Sequence, residues 1–125
     1  MKTPKPTEGE LAILRVIWER GPSTVRDIHE VLGRTGYTTV LKLLQIMIEK
    51  GLVRRDEWGR THLYRACRSE AQTQRQLIRD LAARAFDGSA AHLVVQALAA
   101  KRATPAELDA IQKMIDRARR TGHGR

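Results

Sequence analysis

Apolar residues recur at helical spacing in six stretches of this chain and mix with basic ones in two adjacent stretches, which predicts three helices, a β-hairpin and three more helices. The first helix begins near Thr7, where Thr7 and Glu10 stand at capping-box spacing. It turns Leu11, Leu14, Val16, Ile17 and Trp18 toward a core and ends at Gly21-Pro22. Residues 1–6 precede it as a short lead with two prolines and two lysines. After an extended Ser23-Thr24-Val25, a second helix runs to about Leu32 with Val25, Ile28, Val31 and Leu32 on one side. Thr24 and Asp27 repeat the capping-box spacing, and Gly33 is placed to stop the helix. Arg34-Thr35-Gly36 leads into a third helix, residues 37–50, opened by Tyr37-Thr38-Thr39 and stopped by Gly51. A threonine hydroxyl there can accept a bond from a free N–H. Val40, Leu44, Met47 and Ile48 face the core side.

The opposite face of the third helix carries Thr38, Thr39, Lys42 and Gln45, together with Ile46 and Glu49. A helix that only meets solvent more often shows Glu/Lys pairs. Hydroxyl, amide and ammonium groups near a helix start bond phosphates and base edges, so these four residues are candidate DNA contacts. Two runs follow, Leu52-Val53-Arg54-Arg55-Asp56-Glu57 and Arg60-Thr61-His62-Leu63-Tyr64-Arg65, around Trp58-Gly59. They read as a hairpin with Arg60 just past its tip. Arg54, Arg55, Arg60 and Arg65 are candidate phosphate contacts, while Trp58 is left to pack on sugar or on a neighbouring helix. Two short helices, a third helix and a basic wing in this order define a winged helix-turn-helix domain over residues 1–67, in a chain that is mainly α with a small β-hairpin.

Residues 68–125 predict three helices. Ser69 and Gln72 cap the first, which runs through Phe86 with Leu77, Ile78, Leu81, Ala82 and Ala85 on one stripe and stops at Asp87-Gly88. The second starts near Ser89 and bears Ala90, Leu93, Val94, Ala97 and Leu98. Thr104-Pro105-Ala106-Glu107 supplies a cap, a proline at the first helical position and the returning glutamate for the third, which carries Leu108, Ile111, Ile115 and Ala118. These stripes are too small for an independent core. A second copy would complete it, making Leu77, Ile78, Leu81, Leu93, Val94, Leu98, Leu108, Ile111 and Ile115 a dimerisation surface.

Composition narrows the function. Apolar residues make up 42% and aromatics 4% of 125 residues, which suits packed helices better than an all-β sandwich. The formal charge of +9 draws the chain to a polyanion, with an anionic membrane surface as the weaker alternative. The charge does not locate a binding face: residues 1–67 hold 12 basic against 8 acidic side chains and residues 68–125 hold 11 against 6. The tail arginines Arg117, Arg119, Arg120 and Arg125 favour the helix dipole at least as much as DNA. A single cysteine, Cys67, excludes an internal disulfide and a cysteine-cage metal site. It reads as a small residue ending the wing strand, with a redox role left open. No apolar run approaches ~20 residues and the N-terminus lacks a signal-peptide pattern, so a soluble, cytoplasmic protein without direct membrane binding is expected. His29, His62, His92 and His123 have no histidine four residues away, and no nucleophile elbow or phosphate loop stands out. No catalytic site, metal or cofactor is expected. The remaining alternatives are a nonspecific architectural nucleic-acid binder and a winged-helix protein-interaction module.

The stretches ELAILRVIWERGPSTVRDIHEVL, YTTVLKLLQIMIEKGLVRR and WGRTHLYR resemble the penicillinase-repressor family of winged-helix transcription factors, and the likeness extends from Thr7 to roughly Arg120. The resemblance implies a homodimer on a palindromic double-stranded DNA operator that represses resistance or stress genes. It also implies inactivation by cleavage, signalled by a membrane sensor protease. Carried over residue by residue, it assigns recognition to Thr38, Thr39, Lys42 and Gln45, with Arg60 in the wing. Ile46 stands where such repressors commonly have Arg, and Gln96-Ala97 is the best match to the family's Asn-Phe cleavage pair. The paired C-terminal cysteines of copper-responsive relatives have no counterpart here.

Overall fold

The structure, a computed structural model, describes residues 5–122. Most of the lead and the tail residues His123 and Arg125 therefore lie outside the described residues. The order is α1 (Glu8–Arg20), α2 (Val25–Leu32), α3 (Tyr37–Lys50), β1 (Val53–Trp58), β2 (Thr61–Ala66), α4 (Glu70–Ala85), α5 (Ala90–Ala100) and α6 (Pro105–Thr121). Mainly α with one antiparallel hairpin, this is the winged-helix arrangement the pattern predicts. The chain forms two compact units, residues 1–78 and 79–125, so the division falls inside α4.

In the first unit α1, α2 and α3 pack around Ile13, Ile28, Val40, Leu44 and Met47, all fully buried, and the hairpin closes the core with Leu52, Val53 and Tyr64. Each such side chain contributes roughly 1.5–3 kcal/mol by leaving water. Ile13 was not among the predicted core positions, although it shares a helix face with Ile17. Val31, predicted to face inward, is 51% exposed: on an eight-residue helix Val25 and Ile28 fill the buried side, and Val31 stands off it. Ser23 exchanges backbone hydrogen bonds of 3.1 and 2.8 Å with Tyr64, so the expected extended piece is a one-residue bridge to the wing.

The predicted start of α1 holds in detail. The Thr7 hydroxyl accepts from the Glu10 N–H, and the Glu10 carboxylate accepts from the Thr7 N–H. The same reciprocal pairs form at Thr24–Asp27, Ser69–Gln72 and Thr104–Glu107. The start of α3 differs: Gly36 is its N-cap and makes no side-chain cap, because both threonines already lie within the helix. Gly51 ends α3 in the left-handed conformation that only glycine adopts without strain.

The hairpin register pairs Trp58 with Thr61, which leaves Gly59 and Arg60 as the loop. Trp58 thus ends β1 rather than occupying the turn, and Arg60 sits in the tip rather than past it. Gly59 has φ of +63° while Arg60 keeps a negative φ, the pattern of a type II′ turn, whose twist matches the two strands. Trp18 is half-buried against the core as expected, and its ring N–H donates to the Arg68 carbonyl at 2.9 Å, tying α1 to the segment after β2.

The second unit holds the end of α4 with α5 and α6. Neither α5 nor α6 buries a single side chain. Phe86 meets the His92 ring edge-on, with centroids 5.5 Å apart.

Candidate nucleic-acid interface

The outward face of α3 assembles from helical spacing alone. With Val40, Leu44 and Met47 buried, Thr38, Thr39, Lys42, Gln45, Ile46 and Glu49 are all exposed on the other side. The missing side-chain cap leaves the first-turn N–H groups without a side-chain acceptor at the positive end of the helix dipole. At the other end, Lys50 donates to the buried Glu10 carboxylate at 2.7 Å. That carboxylate also caps α1, so one acid joins the start of α1 to the end of α3.

Beside this face lies a groove of about 540 Å³ bordered by the starts of α2 and α3 and by the wing. Thr24, Arg26, Tyr37, Arg60, Thr61 and His62 line it, with Val25, Leu41 and Tyr64 as its apolar part. Arg60 and the exposed Arg26 thus flank one concavity from opposite elements. Tyr37 is half-exposed and meets the His29 ring edge-on at 5.8 Å. Sequence reasoning missed Arg26 and Tyr37. Arg26 carries a legible signal, since a cation in the first turn of a helix opposes the dipole. Its neighbour Asp27 is held below the usual carboxylate range, first by the Thr24 backbone N–H, with the Thr24 side chain and the Arg20 charge adding to it against the effect of burial.

The pleat separates the wing arginines. Arg55 shares a face with Tyr64, Glu57 and His62, the face that borders the groove. Arg54 lies on the other face, opposite Arg65, and both approach Asp56: Arg54 at 3.9 Å, and Arg65 through a hydrogen bond from its Nε. Arg54 and Arg55 therefore leave the hairpin in opposite directions. Trp58 is 69% exposed. Cys67 is exposed beside Arg54, Arg65 and Arg68 in a separate cleft. Among the described residues no group of three His, Cys, Asp or Glu side chains could hold a metal ion.

Of the apolar positions expected at a dimer surface, Leu77, Leu93 and Ile111 are half-buried. Ile78, Leu81, Val94, Leu98, Leu108 and Ile115 are 40–48% exposed, and Val95 and Met114, which the stripe reading omitted, are more exposed still. Gln96 and Ala97 are exposed in the middle of α5. No helix among the described residues is long and apolar enough to cross a membrane.

A three-helix core carrying a hairpin wing and a polar outward helix face makes the first unit a winged-helix module. The sequence model described as penicillinase repressor matches residues 6–117, so the chain belongs to the penicillinase repressor family of transcriptional regulators, which are not enzymes. It is 32% identical over 120 residues to the transcriptional regulator BlaI of Mycobacterium tuberculosis, an alignment covering 92% of this chain and 85% of the relative. Among solved structures it is similar to the monomeric form of Bacillus licheniformis BlaI in complex with the blaP half-operator. That match has 25% identity and a TM-score of 0.49, and covers 56% of this chain and 89% of the other. A probable transcriptional regulator from Pseudomonas aeruginosa is 23% identical with a TM-score of 0.42, over 86% and 73% of the two chains.

Proposed function

We propose that this regulator is a cytoplasmic repressor that binds an inverted-repeat operator in double-stranded DNA as a homodimer, controlling resistance or stress genes. The observation that carries the reading is the exposed face of α3, with Thr38, Thr39, Lys42 and Gln45, set beside a groove flanked by Arg26 and Arg60. Helix donors read base edges while Arg26, Arg60 and, on the groove face of the wing, Arg55 neutralise phosphates; Arg54, on the other face beside Asp56, could reach only a different stretch of backbone. Residues 1–67 supply this DNA-binding part and residues 68–125 the dimer contacts. The apolar side chains left exposed along α4, α5 and α6 support pairing, since Ile78, Leu81, Val94, Leu98, Leu108 and Ile115 are each 40–48% exposed. Two-fold pairing repeats the recognition helix, which is why the operator is an inverted repeat.

Relief of repression through a membrane sensor-protease pathway would meet Gln96-Ala97 on α5 in place of an Asn-Phe pair. Immunoblotting for a shortened chain after induction tests that route. The main test is selection of genomic fragments by the purified chain. A shared inverted repeat is expected. Equal retention of all fragments would instead mark an architectural binder, and no retention at physiological salt a protein-interaction module.

A further inference from the structure

Ile46 is 39% exposed on α3, and its neighbours on that face are Thr39, Lys42, Gln45 and Glu49, all exposed. At about 100° per residue it stands beside Lys42 and Thr39 and well away from Val40, Leu44 and Met47, so the core does not use its side chain. A lone exposed isoleucine is ordinary on a protein surface. This one is set among groups able to bond base edges, and Glu49 three residues on brings a negative charge that phosphates repel. That end of the strip suits the floor of a groove rather than the sugar-phosphate backbone. The apolar group that a base pair displays in the major groove is the C5-methyl of thymine, and a glutamine such as the adjacent Gln45 pairs with adenine.

We infer that Ile46 reads a thymine methyl group in each half-site, giving base discrimination through a side chain that has no hydrogen bond to offer. The inference rests on the operator-binding reading above. Its test uses the full chain and the duplex it enriches from a random pool, with single thymines replaced by deoxyuridine, which lacks only the methyl. The wild-type chain is expected to lose about fourfold in affinity at one thymine per half-site, the worth of one buried methyl. Ile46→Ala is expected to melt at the wild-type temperature and to bind the thymine and deoxyuridine duplexes equally. A wild-type chain indifferent to every methyl overturns the inference, and so does an Ile46→Ala chain that keeps the wild-type sensitivity. If no sequence is enriched at all, the operator reading has failed before any thymine is altered, and the inference goes with it.

Discussion

Lys42 and Gln45 stand one turn apart at the centre of the outward face of α3, with their charge and amide free for a ligand. Lys42→Ala or Gln45→Ala should weaken binding to the selected duplex by roughly 1–3 kcal/mol and leave the dimer intact in sedimentation. An equal loss on random DNA would assign these side chains to the backbone. Arg60 and Arg26 are expected to act on phosphates, so replacing either with Ala should lower affinity for all duplexes alike. Each should also flatten the slope of log affinity against log salt by about one unit; an unchanged slope removes that arginine from the contacts. Lys50 acts differently, since its partner is Glu10, 2% exposed. Lys50→Met strands a buried carboxylate that then keeps only its bond from the Thr7 N–H, and should cost about 1–3 kcal/mol in urea unfolding.

Elements whose boundaries depend on neighbours three or four residues apart are legible in this sequence. Thr7–Glu10, Thr24–Asp27, Ser69–Gln72 and Thr104–Glu107 each carry a complete local instruction, and each forms its reciprocal bonds. What escapes is set by contacts far along the chain. The burial of Glu10 needs Lys50 from 40 residues away, the bond from Trp18 needs the Arg68 carbonyl, and the groove of Arg26, Tyr37 and Arg60 needs three elements at once. The hairpin register shows the same limit, because Trp58 and Gly59 fit either of two loop positions until Thr61 is seen opposite Trp58. The α2 cap gives a test in pH. Folding lowers the Asp27 pKa, so its stabilisation is complete above the unfolded value of about 3.9 and is lost as the pH falls through the lower folded value. The stability gap between wild type and Asp27→Asn, followed by urea titration, should therefore be open at neutral pH and close in acid. A gap that persists in acid would mean the carboxylate charge is not what matters.

At the scale of the whole molecule, the two compact units differ in what they keep for themselves. The first buries a full core, whereas α5 and α6 bury no side chain fully and leave Leu93 and Ile111 only half-covered. Leu108→Asp or Ile115→Asp should give a monomer in analytical ultracentrifugation with the far-ultraviolet spectrum of the first unit retained. Operator affinity should fall about a hundredfold as the second recognition helix is lost. A dimer that survives both changes would move the pairing surface elsewhere. The bare helices of the second unit also bear on gene dosage. A repressor that grips its target only after two copies meet responds to its own abundance as a square law, so halving the cellular pool cuts occupancy at low levels to about a quarter. On the proposed dimeric reading, derepression would need only modest depletion of the regulator, by dilution at division or by turnover, and the switch would take its sharpness from pairing through α5 and α6.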